Sequence, residues 1–248
     1  MTRLWSNRER AVSAVPGWIR WLLALALATQ AISQYAQRAR APSAADLPNA
    51  PPAQALRLAE LGEPAALARL AMIWLQAFDS SGDNAVAYRQ LDYTRLVAWL
   101  RAILATDPRS EYPLFAASRI YAEIADPVKA RLMLDFIAAE FVADPNRRWP
   151  ALAHAALLAK HRLKDLPLAR RYAAAIQQRA TDESIPLWAK QMEVFILEDM
   201  NELEAAKIML GGLLAAGRIR DPEEERFLRG RLQELELRLK TGGRASNR

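Results

Sequence analysis

Apolar residues recur along this chain at steps of three and four, and short polar turns interrupt them at regular distances. Steps of that size keep side chains on one face of a helix. The clearest phrase is residues 164–176, KDLPLARRYAAAI, and it has a counterpart on each side: ADPVKARLMLDFI at 125–137 and NELEAAKIMLGGL at 201–213. Each opens with a polar turn and then sets a small residue, Ala130, Ala169 or Ala206, in the following helix. Leu134 and Ile137 come four and seven positions after the first alanine, and Leu210 and Leu213 after the last. The middle copy has Ala173 and Ile176 there, beside Tyr172. The three alanines are the predicted repeat-packing positions, where one helix closes on its neighbour.

From residue 53 onward the pattern is helix, short turn, helix. The spacing predicts helices over 54–61, 64–78, 91–105, 111–124, 127–141, 149–163, 166–179, 186–200, 203–216 and 222–239, with a loop at 80–84. Gly62 and Gly217 close two of them, because glycine takes the left-handed conformation that ends a helix. Asp126-Pro127 and Asp221-Pro222 each set a capping carboxylate before a proline at the first helical position. No run alternates Val, Ile or Thr as a half-buried strand would. The expected fold class is all-α, an array of antiparallel helical hairpins preceded by an N-terminal membrane helix.

That first helix is residues 18–36, WIRWLLALALATQAISQYA, the longest apolar stretch. A spanning helix takes about 20 mostly apolar residues. Here Arg20 stands at one end, and Thr29, Gln30, Ser33 and Gln34 dilute the other. The expectation is an anchor with Trp18 and Trp21 at the interface and Arg20 reaching back to the headgroups. A cleaved signal peptide, with Ala26-Leu27-Ala28 as its small-residue site and a soluble exported product, is the alternative. Arg3, Arg8, Arg10 and Arg20 precede the apolar centre, whereas Arg38 and Arg40 follow it. That excess predicts a single-pass protein of the cytoplasmic membrane, N-terminus inside and repeats outside. Residues 41–52, APSAADLPNAPP, hold four prolines and read as a semi-rigid spacer. The organisation expected is a basic segment 1–40, the linker 41–52, a helical domain 53–240 and a disordered tail 241–248.

The small second-helix position falls at Leu96, Ala130, Ala169 and Ala206, at intervals of 34, 39 and 37 residues, and Asp107-Pro108 stands where a repeat would end. On these residues the chain, over about 90–216, resembles a tetratricopeptide-repeat solenoid, whose usual period is about 34 residues. The tryptophan and glycine of the family's first helix have no counterpart, and Leu96 stands where an alanine is expected. The resemblance implies stacked hairpins with a concave surface that binds peptides or proteins and assembles complexes. The basic and asparagine clamp that some members use for peptide carboxylates does not map onto this chain. A less regular helical bundle is the alternative.

Composition narrows the chemistry. Of 248 residues 52% are hydrophobic and none is cysteine, which excludes disulfides, thiolate metal sites and cysteine nucleophiles. A net charge of +6 suggests nucleic acid until it is located: Arg3, Arg8, Arg10, Arg20, Arg38 and Arg40 against Glu9 give the first 40 residues +5. Basic residues there have a membrane-orienting use, and no nucleic-acid partner is expected. His154 and His161 lie seven residues apart on one helix face without further ligands at metal spacing. They read as ordinary surface or groove histidines, and no metal is expected. No nucleophile elbow, dinucleotide fingerprint or phosphate loop occurs. Gly211-Gly212 reads as a close helix approach, and Asp182-Glu183 and Glu198-Asp199 as helix-end charges, since adjacent helical residues point about 100° apart. No catalytic residue and no cofactor is expected.

Charge is segregated along the chain. Residues 147–179 carry Arg147, Arg148, Arg162, Lys164, Arg170 and Arg171 among their basic groups with Asp165 as sole acid, while 182–204 carry seven acids against Lys190. Either the two segments neutralise each other across their interface, or the basic one binds an acidic partner, anionic headgroups or polymer. On the second reading those six basic residues form the partner-binding site. The function expected is a membrane-tethered helical-repeat scaffold, not an enzyme, that binds a protein partner and positions a complex at the membrane. The alternatives are a helical enzyme acting on cell-wall polymer and a basic nucleic-acid-binding repeat.

Overall fold

Aspartates fix where the helices begin. In the computed structural model, which describes residues 16–38, 47–80, 88–217, 219 and 221–245, Asp92 accepts from the backbone N–H groups of Thr94 and Arg95. Asp126 does the same for Val128 and Lys129, Asp144 for Arg147, Asp165 for Leu168 and Asp221 for Glu223. Each carboxylate satisfies donors that the first turn leaves without a partner. Pro127, Pro145, Pro167 and Pro222 follow in four of these starts, where the missing N–H is no loss.

The helices are α1 (Gly17–Arg38), α2 (Ala53–Ala59), α3 (Pro64–Ser80), α4 (Tyr93–Thr106), α5 (Tyr112–Ala116), α6 (Pro127–Phe141), α7 (Pro145–His161), α8 (Leu166–Arg179), α9 (Leu187–Asp199), α10 (Leu203–Ala215) and α11 (Pro222–Ala245). A 3-10 turn covers Tyr88–Gln90, and no strand occurs among the described residues. The fold is all-α. Packing follows chain order: α3 lies on α4, α4 on α5 and α6, α6 on α7, α7 on α8, α8 on α9, α9 on α10 and α10 on α11. One apolar cluster runs from Leu47 to Ile196, and a second, with Leu197, Ala206, Leu210, Leu228 and Leu235, joins α9 to α10 and α11. Leu96, Ala130, Ala169 and Ala206 are all buried, together with Leu134, Ile137, Ala173, Ile176 and Leu210.

Sequence expectation and structure part in five places. The linker is the first: Leu47 is fully buried, its carbonyl accepts from Arg95 Nη1 at 2.7 Å, and that of Pro48 accepts from Trp99 Nε1 at 2.9 Å. One buried leucine and two backbone carbonyls suffice to dock this proline-rich segment on α4, so the packed region begins at Leu47. Second, α7 starts at Pro145 instead of 149, because Asp144 caps it and Pro150 is tolerated inside it. Third, the helix expected over 111–124 does not run through. α5 gives way to a π-helical segment, Ala117–Tyr121, in which Ala122 N–H donates to the Ala117 carbonyl at 2.9 Å. There the Ser118 hydroxyl bonds back to the Phe115 carbonyl at 3.2 Å, a competitor to regular helix. Fourth, α11 runs to Ala245 and takes in residues assigned to the tail, since propagation adds one bond per residue and outruns the glycine penalty of about 1 kcal/mol each.

The fifth concerns the membrane helix. α1 has 22 residues, about 33 Å at 1.5 Å per residue, and the side chains of residues 16–35 are all exposed. No helix among the described residues is long and apolar enough to cross a membrane. Length is sufficient in α1; apolarity falls short, through Arg20 and the polar residues Thr29, Gln30, Ser33 and Gln34. Arg3, Arg8, Arg10, Arg40, most of the predicted loop at 80–84 and residues 246–248 lie outside the described residues.

Candidate functional site

Of the six basic residues predicted to bind a partner, one is buried and two more pair with acids of other elements. Arg148 is only 7% exposed. Its guanidinium donates to the Glu140 carbonyl at 2.6 Å, to the Glu140 carboxylate at 3.2 Å and to the Pro108 carbonyl at 3.2 Å, tying α7 to α6 and to the turn after α4. Arg170 reaches from α8 to Glu193 and Glu202, each at 3.2 Å. Arg162, at the end of α7, donates to Glu123 at 2.6 Å. Arg147 has only Asp144 of its own first turn, at 3.6 Å. Lys164, in a left-handed turn with φ of 56°, and Arg171 are exposed and pair with no described acid. Burial takes Arg148 out of any surface site, while Arg147, Lys164 and Arg171 stand exposed.

Burial of acids on α9 explains the arrangement. Glu193 and Glu198 are both buried. Arg170 takes the first, while Arg231 and, at 3.6 Å, Arg238 come from α11 to the second. Asp199 turns to Lys160 of α7 instead. Glu198 and Asp199 thus serve different helices. Opposite charge in neighbouring segments is used to join α8, α9 and α11.

A different constellation stands on the face made by α5, its π extension, α7 and α9. A cavity of about 140 Å³ opens between α5 and α7, lined among others by Ser110, Glu111, Phe115, Arg119, Arg147 and Pro150. The rings of Tyr112 and Phe115 stack beside it, with centroids 6.2 Å apart, and Trp149 meets Trp188 edge to face at 5.5 Å toward α9. Phe115, Leu157 and Trp188 are exposed. Arg119, carried by the π segment, is exposed and pairs with no described acid. The nearest carboxylate along that helix face, Glu123, is already held: one oxygen lies 3.2 Å from His154 Nε2 and the other accepts from Arg162. Burial pushes the His154 imidazole below its ordinary value, the Arg119 charge pushes the same way, and Glu123 opposes both. The ring is therefore mostly neutral near pH 7, and the cavity rim carries the guanidinium groups of Arg119 and Arg147 with the Glu111 carboxylate.

Of these residues, Arg147 is a partner-binding candidate by sequence, and His154 reads there as an ordinary surface or groove histidine. Arg119, Phe115 and Pro150 were missed, although Tyr112, Phe115 and Arg119, like Arg147, Pro150, His154 and Leu157, recur at steps of three and four on single helix faces. No cluster of His, Asp and Glu that could hold a metal occurs among the described residues. A wider cleft of about 1100 Å³ lies among α8, α9, α10 and α11, with Gly212 in its wall. Three of its charged groups are tied to the scaffold: Asp221 caps α11, Glu224 accepts from Gln191 at 3.2 Å, and Lys190 donates to the Asp182 carbonyl at 3.1 Å. Compared with known proteins, the chain matches no family model, no curated protein and no solved structure.

Proposed function

We propose that this protein is a membrane-attached helical array that binds an acidic, partly apolar segment of a protein partner on the face of α5, α7 and α9. The cavity between α5 and α7 carries the reading. At about 140 Å³ it suits one large side chain, whereas small-molecule sites run to about 300–1,000 Å³. Arg119 and Arg147 stand at its rim, and guanidinium groups take carboxylates with two parallel hydrogen bonds. Tyr112, Phe115 and Trp188 add exposed aromatic area, the type of residue that carries most binding energy at interfaces. In this reading the hairpins are of tetratricopeptide type, supported by the buried positions Leu96, Ala130, Ala169 and Ala206 at intervals of 34, 39 and 37 residues.

Attachment rests on α1. Trp18, Trp21, Leu22, Leu25, Ile32 and Tyr35 are all exposed, an apolar surface too large for a helix left in water. Tryptophan near one end and tyrosine near the other suit the two interfaces of a bilayer. With four arginines before the apolar centre and two after it, a crossing α1 leaves the N-terminus inside and the array outside the cytoplasm. A reporter active only outside the cytoplasm, fused after Arg248, separates crossing from lying in the interface. The binding face is tested by capture from solubilised membranes with the full chain. Arg119→Glu with Arg147→Glu should lose the captured partner at unchanged melting temperature. Loss with Lys164→Glu and Arg171→Glu instead would move the site to α8.

A further inference from the structure

The two ends of the array are unlike. At the C-terminal end the outer helix α11 is charged along its length, with Glu223, Glu224 and Glu225 in its first turn. Helical arrays need such a polar outer face to stay soluble. At the other end α3 carries no charge except Arg69 until Asp79. It buries Ala68, Met72 and Leu75 toward α4 and turns Leu70 and Ile73 outward, each 64% exposed. Ala66 and Ala77 continue that outward stripe at helical spacing, with Arg69 along one edge and the half-open indole of Trp74 along the other.

The turn leading into α3 adds a second observation. Leu61 holds a φ of 46° and is 90% exposed, next to Gly62 at 87°. A left-handed conformation is costly for a leucine, and glycine alone at that corner would avoid the strain. Leu61 directly follows Glu60, the C-cap of α2, so the left-handed turn ends that helix, and it leaves a large apolar side chain in solvent. Leu58 of α2, one turn earlier, is also exposed, and no residue of α2 is buried.

We infer that the α2–α3 end of the array docks on the surface of the bilayer, with Leu58, Leu61, Leu70 and Ile73 entering the headgroup–acyl boundary. The inference rests on the reading of α1 as the membrane attachment. Eight residues, 39–46, separate Arg38 from Leu47, a reach of about 30 Å even when fully extended. Leu47 and Pro48 are pinned to Arg95 and Trp99 of α4, the helix on which α3 packs. An α1 held in the membrane therefore keeps Leu47, and with it α4 and α3, within about 30 Å of the lipid surface. Apolar side chains flanked by arginine and tryptophan match what an interface-bound helix presents. Docking there would direct α11 away from the bilayer and hold the α5–α7 cavity at a fixed height above it.

The chain has no cysteine, so single reporters can be placed cleanly on the full-length protein. Leu25→Cys, Ile73→Cys and, on the exposed side of α10, Ile208→Cys are each labelled with an environment-sensitive nitrobenzoxadiazole dye. Vesicles of phosphatidylcholine and phosphatidylglycerol are then added. A several-fold rise in emission at Leu25 and Ile73, quenched by brominated lipid, with no change at Ile208, is the expected result. Leu70→Asp should abolish the rise at Ile73 and leave that at Leu25. A response at Leu25 alone overturns docking while the tether survives, and a response at neither overturns both. Emission from Ile73 that rises with protein concentration before lipid is added, with disulfide-linked dimers from the unlabelled variant, would make a second copy the occupant and overturn the inference.

Discussion

Arg148 separates a structural cation from a binding cation most sharply. Arg148→Met keeps the length of the side chain and removes its charge and all its donors. It leaves the carbonyls of Glu140 and Pro108 and the Glu140 carboxylate without the guanidinium they share. Breaking a buried ion pair from one side costs about 3–5 kcal/mol, and each stranded buried acceptor about 1–3. Glu140 retains Arg101 at 3.5 Å, and its side chain is 19% exposed, which places the loss at the lower end, about 3 kcal/mol. For a chain of this size that corresponds to a fall in melting temperature of about 6–12 °C. Arg147→Met, one residue away, exposed and paired only with Asp144, should stay within about 0.5 kcal/mol of the parent. Thermal melts followed by far-ultraviolet circular dichroism decide the matter. Equal melting temperatures for the two variants would refute the assignment of Arg148 to the interior.

Further outcomes follow from the same contacts. Ala169 is fully buried, so Ala169→Trp should cost about 1–3 kcal/mol or more through overpacking, whereas Arg171→Trp on the exposed side of the same helix should melt with the parent. Glu198→Gln keeps the shape of the side chain but leaves Arg231 and Arg238 without their shared carboxylate. A loss of about 2 kcal/mol is expected, with amide exchange accelerating in α11 more than in α8. His154 is held below its ordinary value of 6.5, first by burial and then by Arg119. Below 6.5 the unfolded chain therefore binds the proton more readily than the folded one, and this contribution to stability falls as pH drops. His154→Gln should flatten the dependence of melting temperature on pH in that window, and an unchanged slope would place the titration elsewhere.

The periodic parts of the fold were legible and the exceptions were not. Steps of three and four placed α4, α6, α8, α9 and α10 within a residue or two, and the small positions Ala130, Ala169 and Ala206 are buried where the pattern put them. Asp126 and Asp221 cap helices as read, but Asp144-Pro145 escaped because Pro150 offered a later start. The end of the α5 helix is set by Ser118 bonding to the Phe115 carbonyl, a competition between side chain and backbone that carries no periodic signal. Docking of Leu47 was hidden because its acceptors are carbonyls, which every sequence has. The basic residues show a related limit. Residue type gives the charge of Arg148 and Arg170, but only the packing of α6 and α9 shows that Glu140 and Glu193 are there to take it. The cavity between α5 and α7 depends on two helices brought together by α6, so neither segment alone displays it.

Site-specific photocrosslinking tests the binding face most directly. The full chain carries benzoylphenylalanine at Phe115 or at Arg171 in separate variants, both exposed positions, and is irradiated in the cells that produce it. The account predicts a discrete adduct with one protein species from position 115, lost when Arg119 and Arg147 are reversed to Glu, and none from position 171. An adduct from 171 with none from 115 would contradict it.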